Sequence, residues 1–294
     1  MIINAIEDNI FVVRDDLYPS LGGGNKGRKM DFIGSKINKD GLNAIVTTGG
    51  IQSNHCRAAA IYAAQNKMPC TLVIHGDERR FSKEGGNAKL MRDAKATIVF
   101  TEANGISDAM DSAMDLYKSK GYSPYYLRGG GHNLEGGLAY VEAVDELLKN
   151  SKIRPDYIFL ASGTGSTQAG IMAGISKNKI DCNVIGISVA RESGRAENIV
   201  RESYEDLCHF LNIEPTQKST TKVLDDYLCG GYEKYNPGIK ELSENSISKY
   251  GFPLDTTYTG KAFYGMLNHF NDKKLKGNIF FWHTGGFLNY LAQP

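Results

Sequence analysis

Short apolar runs alternate with longer stretches of helical periodicity along nearly the whole chain. Residues 10–13, 44–48, 71–75, 97–100, 125–127, 157–161, 183–189 and 278–282 read as strands. Residues 30–39, 54–66, 86–93, 107–120, 134–150, 167–177, 192–211 and 261–271 read as helices. A polar bend is expected at 14–16, a polar loop at 76–83 and a glycine loop at 129–131. Asn183-Val184-Ile185-Gly186-Ile187 is apolar on both faces, as a strand covered on both sides must be. Alternation at this pitch builds parallel sheets with helices on both faces, so an α/β fold is expected. Three glycine loops fall just after strands, where such sheets bind ligands. The chain has no repeat, no low-complexity tract and no marked linker.

Composition narrows the reading mainly by exclusion. The 294 residues suffice for one large or two modest domains. With 41% hydrophobic residues and a net charge of +1, the chain has no basic excess, and no nucleic-acid partner is expected. It contains no apolar run of about 18 residues, so no membrane span is expected. Met1 to Asp8 lacks the cationic and apolar regions of a signal peptide. Cys56, Cys70, Cys182, Cys208 and Cys229 are scattered, and neither C-x-x-C nor H-E-x-x-H occurs. No metal site is expected, and a reduced, cytoplasmic protein is.

The candidate chemistry begins at Lys26, in Gly22-Gly23-Gly24-Asn25-Lys26-Gly27-Arg28-Lys29, read as a glycine-rich loop. Glycines let the backbone approach a planar ring, and a partly neutral lysine amine forms a Schiff base with an aldehyde cofactor. Lys29 could equally be that amine. Gly49-Gly50-Ile51-Gln52-Ser53-Asn54-His55 follows a strand. Ser53 or Asn54 reads as a helix cap, or, with His55, as a holder of a carboxylate and a ring hydroxyl. Ser162-Gly163-Thr164-Gly165-Ser166-Thr167 also follows a strand and opens a helix, where backbone amides and hydroxyls favour a phosphate. It is not the dinucleotide G-x-G-x-x-G fingerprint. Lysine, polar loop and phosphate loop together are the parts of a pyridoxal 5'-phosphate (PLP) site. Tyr232 and Tyr258 lie near glycines and read as packing residues or as ligand-facing. His283 reads as structural, and His75, His209 and His269 carry no functional reading.

Arg14-Asp15-Asp16-Leu17 with Gly23-Gly24-Asn25-Lys26-Gly27-Arg28-Lys29 resembles a signature of the D-cysteine desulfhydrase and 1-aminocyclopropane-1-carboxylate (ACC) deaminase family. Gly49 to Arg57, Thr164 to Gly170, Tyr258 to Lys261 and His283 to Gly286 resemble further motifs of that family, in order along the chain. The resemblance implies the tryptophan synthase β-subunit-like PLP fold, fold type II. Its large domain would comprise 1–29 and 133–294, and its small domain 30–132. It implies Lys26 as the lysine joined to the cofactor and Asn54 on the ring hydroxyl. Ser53, Asn54 and His55 would take the substrate carboxylate, Gly163 to Thr167 the phosphate. Tyr232 and Tyr258 would face the substrate, and Lys29 would be a second basic group nearby.

Thr259 and Thr284 resemble the desulfhydrase branch, since the deaminases are expected to carry Glu and Leu there. A neutral hydroxyl beside the pyridine nitrogen weakens the electron sink and favours fast β-elimination. The implied function is a PLP-dependent lyase acting on a small amino acid, D-cysteine first, in a cytoplasmic homodimer. ACC deamination, cysteate lysis, biosynthetic β-replacement and non-catalytic PLP binding are the alternatives. The chain departs from the family pattern in its short leading and trailing segments, in Glu233 where glycine would follow Tyr232, and in His132 where serine is usual.

Overall fold

The computed structural model describes residues 1–216 and 221–293. The strands are β1 (Ile3–Glu7), β2 (Ile10–Val13), β3 (Ala44–Gly50), β4 (Cys70–His75), β5 (Thr97–Thr101), β6 (Pro124–Leu127), β7 (Tyr157–Ser162), β8 (Asn183–Ser188), β9 (Lys222–Leu224) and β10 (Ile279–Trp282). The first helices are α1 (Gly24–Lys39), α2 (Asn54–Gln65), α3 (Glu78–Lys83), α4 (Gly86–Asp93), α5 (Ile106–Ser119) and α6 (Leu134–Asn150). Then follow α7 (Ser166–Lys177), α8 (Ser193–Leu211), α9 (Pro237–Tyr250), α10 (Thr259–Lys273) and α11 (Phe287–Leu291).

The strands form two sheets, ordered β1-β2-β10-β7-β8-β9 and β5-β4-β3-β6. Every pairing is parallel except the hairpin of β1 with β2. Alternate side chains of the larger sheet feed two separate cores, as the two-residue period of a strand requires. Phe11, Val13, Ile158, Leu160, Phe280 and Trp282 pack with Tyr140, Val144, Met172 and Val200 from the helices on one face. Ile10, Val12, Phe159, Ile185 and Phe281 pack with Phe252, Phe263 and Met266 on the other. In the smaller sheet Ile45, Leu72, Ile74 and Leu127 meet Met30, Ile33 and Ile37 of α1 and the alanines of α2. Val46 and Val73 meet Met110, Ala113 and Tyr117 of α5 on the opposite face.

Several elements differ from the sequence reading. Helix α1 starts at Gly24, so Lys26 and Lys29 stand on its first two turns and not on a loop. The expected loop at 76–83 contains α3, capped by Asp77, whose side chain accepts from the Arg80 amide at 2.7 Å. The edge strands β1 and β9 and the helices α9 and α11 are additions to the predicted set.

One buried cluster ties the N-terminal segment to α1, α6 and β10. The Asp15 carboxylate accepts from Arg28 at 2.8 and 2.7 Å, from Trp282 Nε1 at 3.2 Å, and from the Tyr140 hydroxyl. Arg28 also stacks over the Tyr18 ring, 4.4 Å from its centroid. These contacts fix the start of α1 beneath the lysine-bearing turns.

Candidate active site

A cleft of about 690 Å³ opens where the C-terminal ends of both sheets' strands converge. This is where parallel α/β sheets bind small molecules. Its walls come from Gly49 and Gly50 at the end of β3, His75 at the end of β4, Ser162 at the end of β7, Val189 after β8 and Thr284 after β10.

Lys26 enters the cleft from α1, its ammonium donating to the Gly130 carbonyl at 2.9 Å. Gly22, Gly23 and Gly24 precede it at φ values of +83°, +80° and +70°, in the left-handed region that favours glycine. Arg57 holds that turn by donating to the Gly22 and Gly23 carbonyls, both at 3.0 Å. On the other side, the Asn25 amide donates to the Thr284 carbonyl at 2.8 Å. Burial and then the Arg57 charge lower the Lys26 pKa to about 8, so a sizeable fraction of the amine is neutral near pH 7–8. Lys29, by contrast, is buried away from the cleft and donates to Ser166 Oγ at 2.8 Å. Burial and the Lys26 charge push its pKa well down.

The N-terminus of α7 lines the same cleft as Lys26. Gly165, at φ +93°, turns the chain into the helix, leaving the first-turn amides without intrahelical acceptors. Thr164 and Thr167 line the cleft beside them, and Asn25 Nδ2 reaches Thr167 Oγ1 at 3.4 Å. The Ser166 hydroxyl does not join this group. It receives Lys29 and donates to the Gly131 carbonyl at 3.3 Å, so only its backbone amide is available at the helix end.

Ser53 is a true cap of α2, its hydroxyl accepting from the Cys56 amide at 3.2 Å, and it also lines the cleft. Thr47 Oγ1 donates to the Leu127 carbonyl at 2.7 Å and stands 2.8 Å from His55 Nε2. With its hydrogen committed, Thr47 accepts from His55, so Nε2 carries the ring proton and Nδ1 the lone pair. Burial and the charges of Lys26 and Lys29 hold His55 neutral by lowering its pKa. Asn54 lines the cleft as well, its carboxamide held by Asn87 and Asn289.

The Tyr232 and Tyr258 hydroxyls hydrogen-bond to each other, with ring centroids 5.8 Å apart and planes at 70°. Burial raises both pKa values, and the pair therefore stays protonated at neutral pH. Thr284 lines the cleft, whereas Thr259 is turned away from it. Its hydroxyl donates to Asp255 Oδ1 at 2.8 Å, and its side chain is buried. Asp255 also accepts from the Thr257, Tyr258 and Thr259 amides at 2.9–3.0 Å, fixing the start of α10. His283 is structural, 2.8 Å from the Pro253 carbonyl through Nε2.

Four residues of the site went unpredicted. His75 ends β4, a strand-end position that alone would have flagged it. Arg191 and Arg195 reach the cleft near the α7 terminus. Arg191 donates to the Gly163 carbonyl, and burial together with Arg195 lowers its pKa. Asp255 acts through the tyrosine it positions. Of the two departures from the family pattern, His132 sits beside this region, 3.4 Å from Ser203 Oγ through Nε2, with a pKa lowered to about 4 by burial and by Lys29. Glu233 lies 3.8 Å from Arg80 of α3.

The residues present fit PLP on geometry alone. An amine of lowered pKa and a helix N-terminus share one cleft large enough for a cofactor and a small substrate, and glycines line its walls at Gly49, Gly50, Gly129, Gly130 and Gly285.

Comparison with known proteins agrees. The family described as pyridoxal-phosphate dependent enzyme matches residues 3–285. A D-cysteine desulfhydrase from Klebsiella pneumoniae (strain 342) is 30% identical over 287 residues, 94% of this chain and 86% of that protein. A protein of Pyrococcus horikoshii provisionally named 1-aminocyclopropane-1-carboxylate deaminase is 30% identical over 292 residues, 97% of this chain and 86% of that one. Among solved structures, one described as an ACC deaminase homologue superposes with a TM-score of 0.88 at 27% identity, over 95% of this chain and 85% of that one.

Proposed function

The chain belongs to the family of pyridoxal-phosphate dependent enzymes, and on that premise we propose that it cleaves a small amino acid bearing a leaving group on its β-carbon. D-Cysteine is the first candidate substrate. With one water consumed, it gives pyruvate, hydrogen sulfide and ammonia. The protein is a PLP-dependent lyase of fold type II, and the observation that carries the substrate reading is the convergence of Lys26, the α7 terminus and the neutral tyrosine pair on one cleft.

When bound, the cofactor holds the substrate amino group and withdraws electrons from the α-carbon. The chain's own residues do the rest. Lys26 would hold the cofactor aldehyde, and its amine is the group that would remove the α-proton. The amides of Gly163 to Thr167, with the Thr164 and Thr167 hydroxyls, hold the phosphate at the positive end of α7. Asn54 would hold the ring oxygen through its N–H. At the start of α2 the Ser53 hydroxyl and the backbone amide of His55, whose ring N–H is spent on Thr47, hold the substrate carboxylate against the helix dipole. The Tyr232–Tyr258 pair, kept protonated by burial, has one hydroxyl hydrogen left to donate as a hydrogen bond to the departing sulfur.

A division into 1–29 with 133–294 and 30–132, assembly as a homodimer, and a cytoplasmic site belong to the same proposal. The test is incubation of the purified protein with D- and L-cysteine, cysteate, β-chloroalanine and ACC, followed by identification of the keto acid. Pyruvate from D-cysteine is the expected product. Release of 2-oxobutanoate from ACC in preference would move the chain to the deaminase reading, which the equal identity to both relatives keeps in view. A visible band that shifts with amino acids while no product forms would mark a binding protein.

A further inference from the structure

We propose that Asn289 and Asn87 are positioning residues that lock the Asn54 carboxamide so that it offers an N–H, and not a carbonyl, to the cleft. The inference rests on the reading of Asn54 as the group facing the cofactor's ring oxygen. Its starting point is the backbone carbonyl of Gln52, which accepts from Asn289 Nδ2 and from Asn87 Nδ2, both at 3.1 Å. A carbonyl can only accept, so both side chains must turn their NH₂ ends towards it. Asn289 Oδ1 is thereby set to take Asn54 Nδ2 at 2.6 Å and Asn87 Nδ2 at 3.0 Å. Asn87 Nδ2, with one hydrogen on the Gln52 carbonyl, shares its second between Asn289 Oδ1 and Asn54 Oδ1, the latter at 3.1 Å.

Two routes from one carbonyl thus demand the same Asn54 rotamer. Reversing it would put oxygen against Asn289 Oδ1 and NH₂ against Asn87 Nδ2. Amide orientation, often an arbitrary choice, is here determined by the network. Asn87 Oδ1 is buried without a partner, which is the cost of keeping every donor aimed inward. The Gln52 side chain braces the same corner, accepting from the Asn87 amide at 2.9 Å and donating to Glu84 at 2.6 Å.

Of the three asparagines only Asn54 lines the cleft, and its Nδ2 retains a second hydrogen. That hydrogen suits an oxygen that accepts, such as a deprotonated ring hydroxyl, and disfavours one that must donate. The lock therefore biases the bound cofactor's charge state from α11, a helix outside the cleft.

The test uses the PLP-loaded enzyme and reads the pH midpoint of its visible absorption band together with the PLP dissociation constant, for wild type, Asn54→Ala, Asn289→Ala, Asn289→Leu and the double alanine variant. Asn54→Ala should raise the dissociation constant about tenfold and move the midpoint to higher pH. Asn289→Ala should act in the same direction by about threefold, as a freed amide spends part of its time reversed. Asn289→Leu, which nearly keeps the side chain's size but removes both its donor and its acceptor, should move the midpoint as Asn289→Ala does and supplies a better-packed variant if alanine disturbs α11. The double variant should match Asn54→Ala alone. Effects that add in the double variant, an Asn289→Leu midpoint unmoved from wild type, or a silent Asn289→Ala beside an active Asn54→Ala would overturn the lock. A silent Asn54→Ala would overturn the assignment of Asn54 itself, and the lock with it.

Discussion

Alanine substitutions at two glycines separate backbone strain from cofactor binding. Gly165, at φ +93°, and Gly121, at φ +82°, both occupy the left-handed region, and an L-residue there costs about 1 kcal/mol at either site. Their surroundings differ. A Cβ on Gly121 would meet nothing within 4 Å, while one on Gly165 would lie 2.9 Å from Val200 Cγ2 and 3.6 Å from the Val200 Cα. Val200 is fully buried in the main core, so the clash cannot be relieved by swinging a side chain into solvent. Overpacking of that kind adds about 1–3 kcal/mol, for a total of about 2–4 kcal/mol at Gly165 against about 1 at Gly121. The relief has to come from moving the loop that aims the α7 amides. Hydrogen bonds to a charged phosphate contribute about 1.5–3 kcal/mol each, so misplacing one of them weakens PLP binding about 10- to 100-fold. Urea unfolding of the cofactor-free proteins measures the first quantity, and fluorescence titration with PLP the second. Gly165→Ala should lose on both counts, and Gly121→Ala on stability alone. Equal PLP dissociation constants in the two variants would refute the assignment of this loop.

Lys26→Ala should abolish the borohydride-trappable PLP adduct and turnover, and peptide mapping that finds an adduct on Lys29 would overturn the choice between the two lysines. With a Lys26 pKa near 8, only the amine deprotonated above that pH attacks the aldehyde, so PLP capture by the cofactor-free protein should be about a hundredfold slower at pH 6 than on its alkaline plateau. Arg57→Met removes the second cause of the lowered pKa and should move that midpoint upwards, whereas an unmoved midpoint would leave burial as the sole cause. Asp15→Ala strands Trp282 Nε1 and the Tyr140 hydroxyl in the core, leaves Arg28 with Glu146 alone, and should cost about 3–5 kcal/mol in urea unfolding. Thr284→Leu should lower the ratio of pyruvate released from a β-substituted alanine to 2-oxobutanoate released from ACC, and an unchanged ratio would show that this wall position does not discriminate.

The parallel strands were legible because burial on both faces leaves an uninterrupted apolar run, as in Ile10–Val13 and Asn183–Ser188. The elements missed are those with little buried surface to advertise them. Strand β1 is a half-exposed edge, and β9 has three residues, of which only Val223 is buried. Helix α9 buries Ile239, Ser243 and Ser246, so two of its inward positions are serines and the hydrophobic period disappears. Its start was nevertheless written in the sequence, with Asn236 accepting from the Ile239 amide at 2.9 Å and Pro237 at the first helical position. Helix α3 buries Phe81 alone. The early start of α1 was hidden by its glycines, which argue against a helix by propensity. Here the buried Asp15 cluster and the hydrogen bond from Asn25 to the Thr284 carbonyl outweigh that preference.

Motifs could place residues near one another but could not say which way each side chain turns. Ser166 and Thr259 both sit in the expected segments, yet each hydroxyl is spent inside the protein, on Lys29 and on Asp255 respectively. No linear pattern carries that information, because both partners are set by packing; even Asp255, only four residues away from Thr259, becomes its partner through the backbone path at the head of α10. The consequence for chemistry is specific. A glutamate at Thr259 would place a second carboxylate beside Asp255, which is already buried and whose own pKa burial raises. Two such groups cannot both ionise without a new cation, so a deaminase-like Glu here demands a rearranged α10 terminus and not merely a longer side chain. Of the two threonines in which the chain resembles the desulfhydrase branch, only Thr284 presents a surface to the cleft. The contribution of Thr259 is therefore made through Asp255, by holding the start of α10 and hence the Tyr258 hydroxyl against Tyr232.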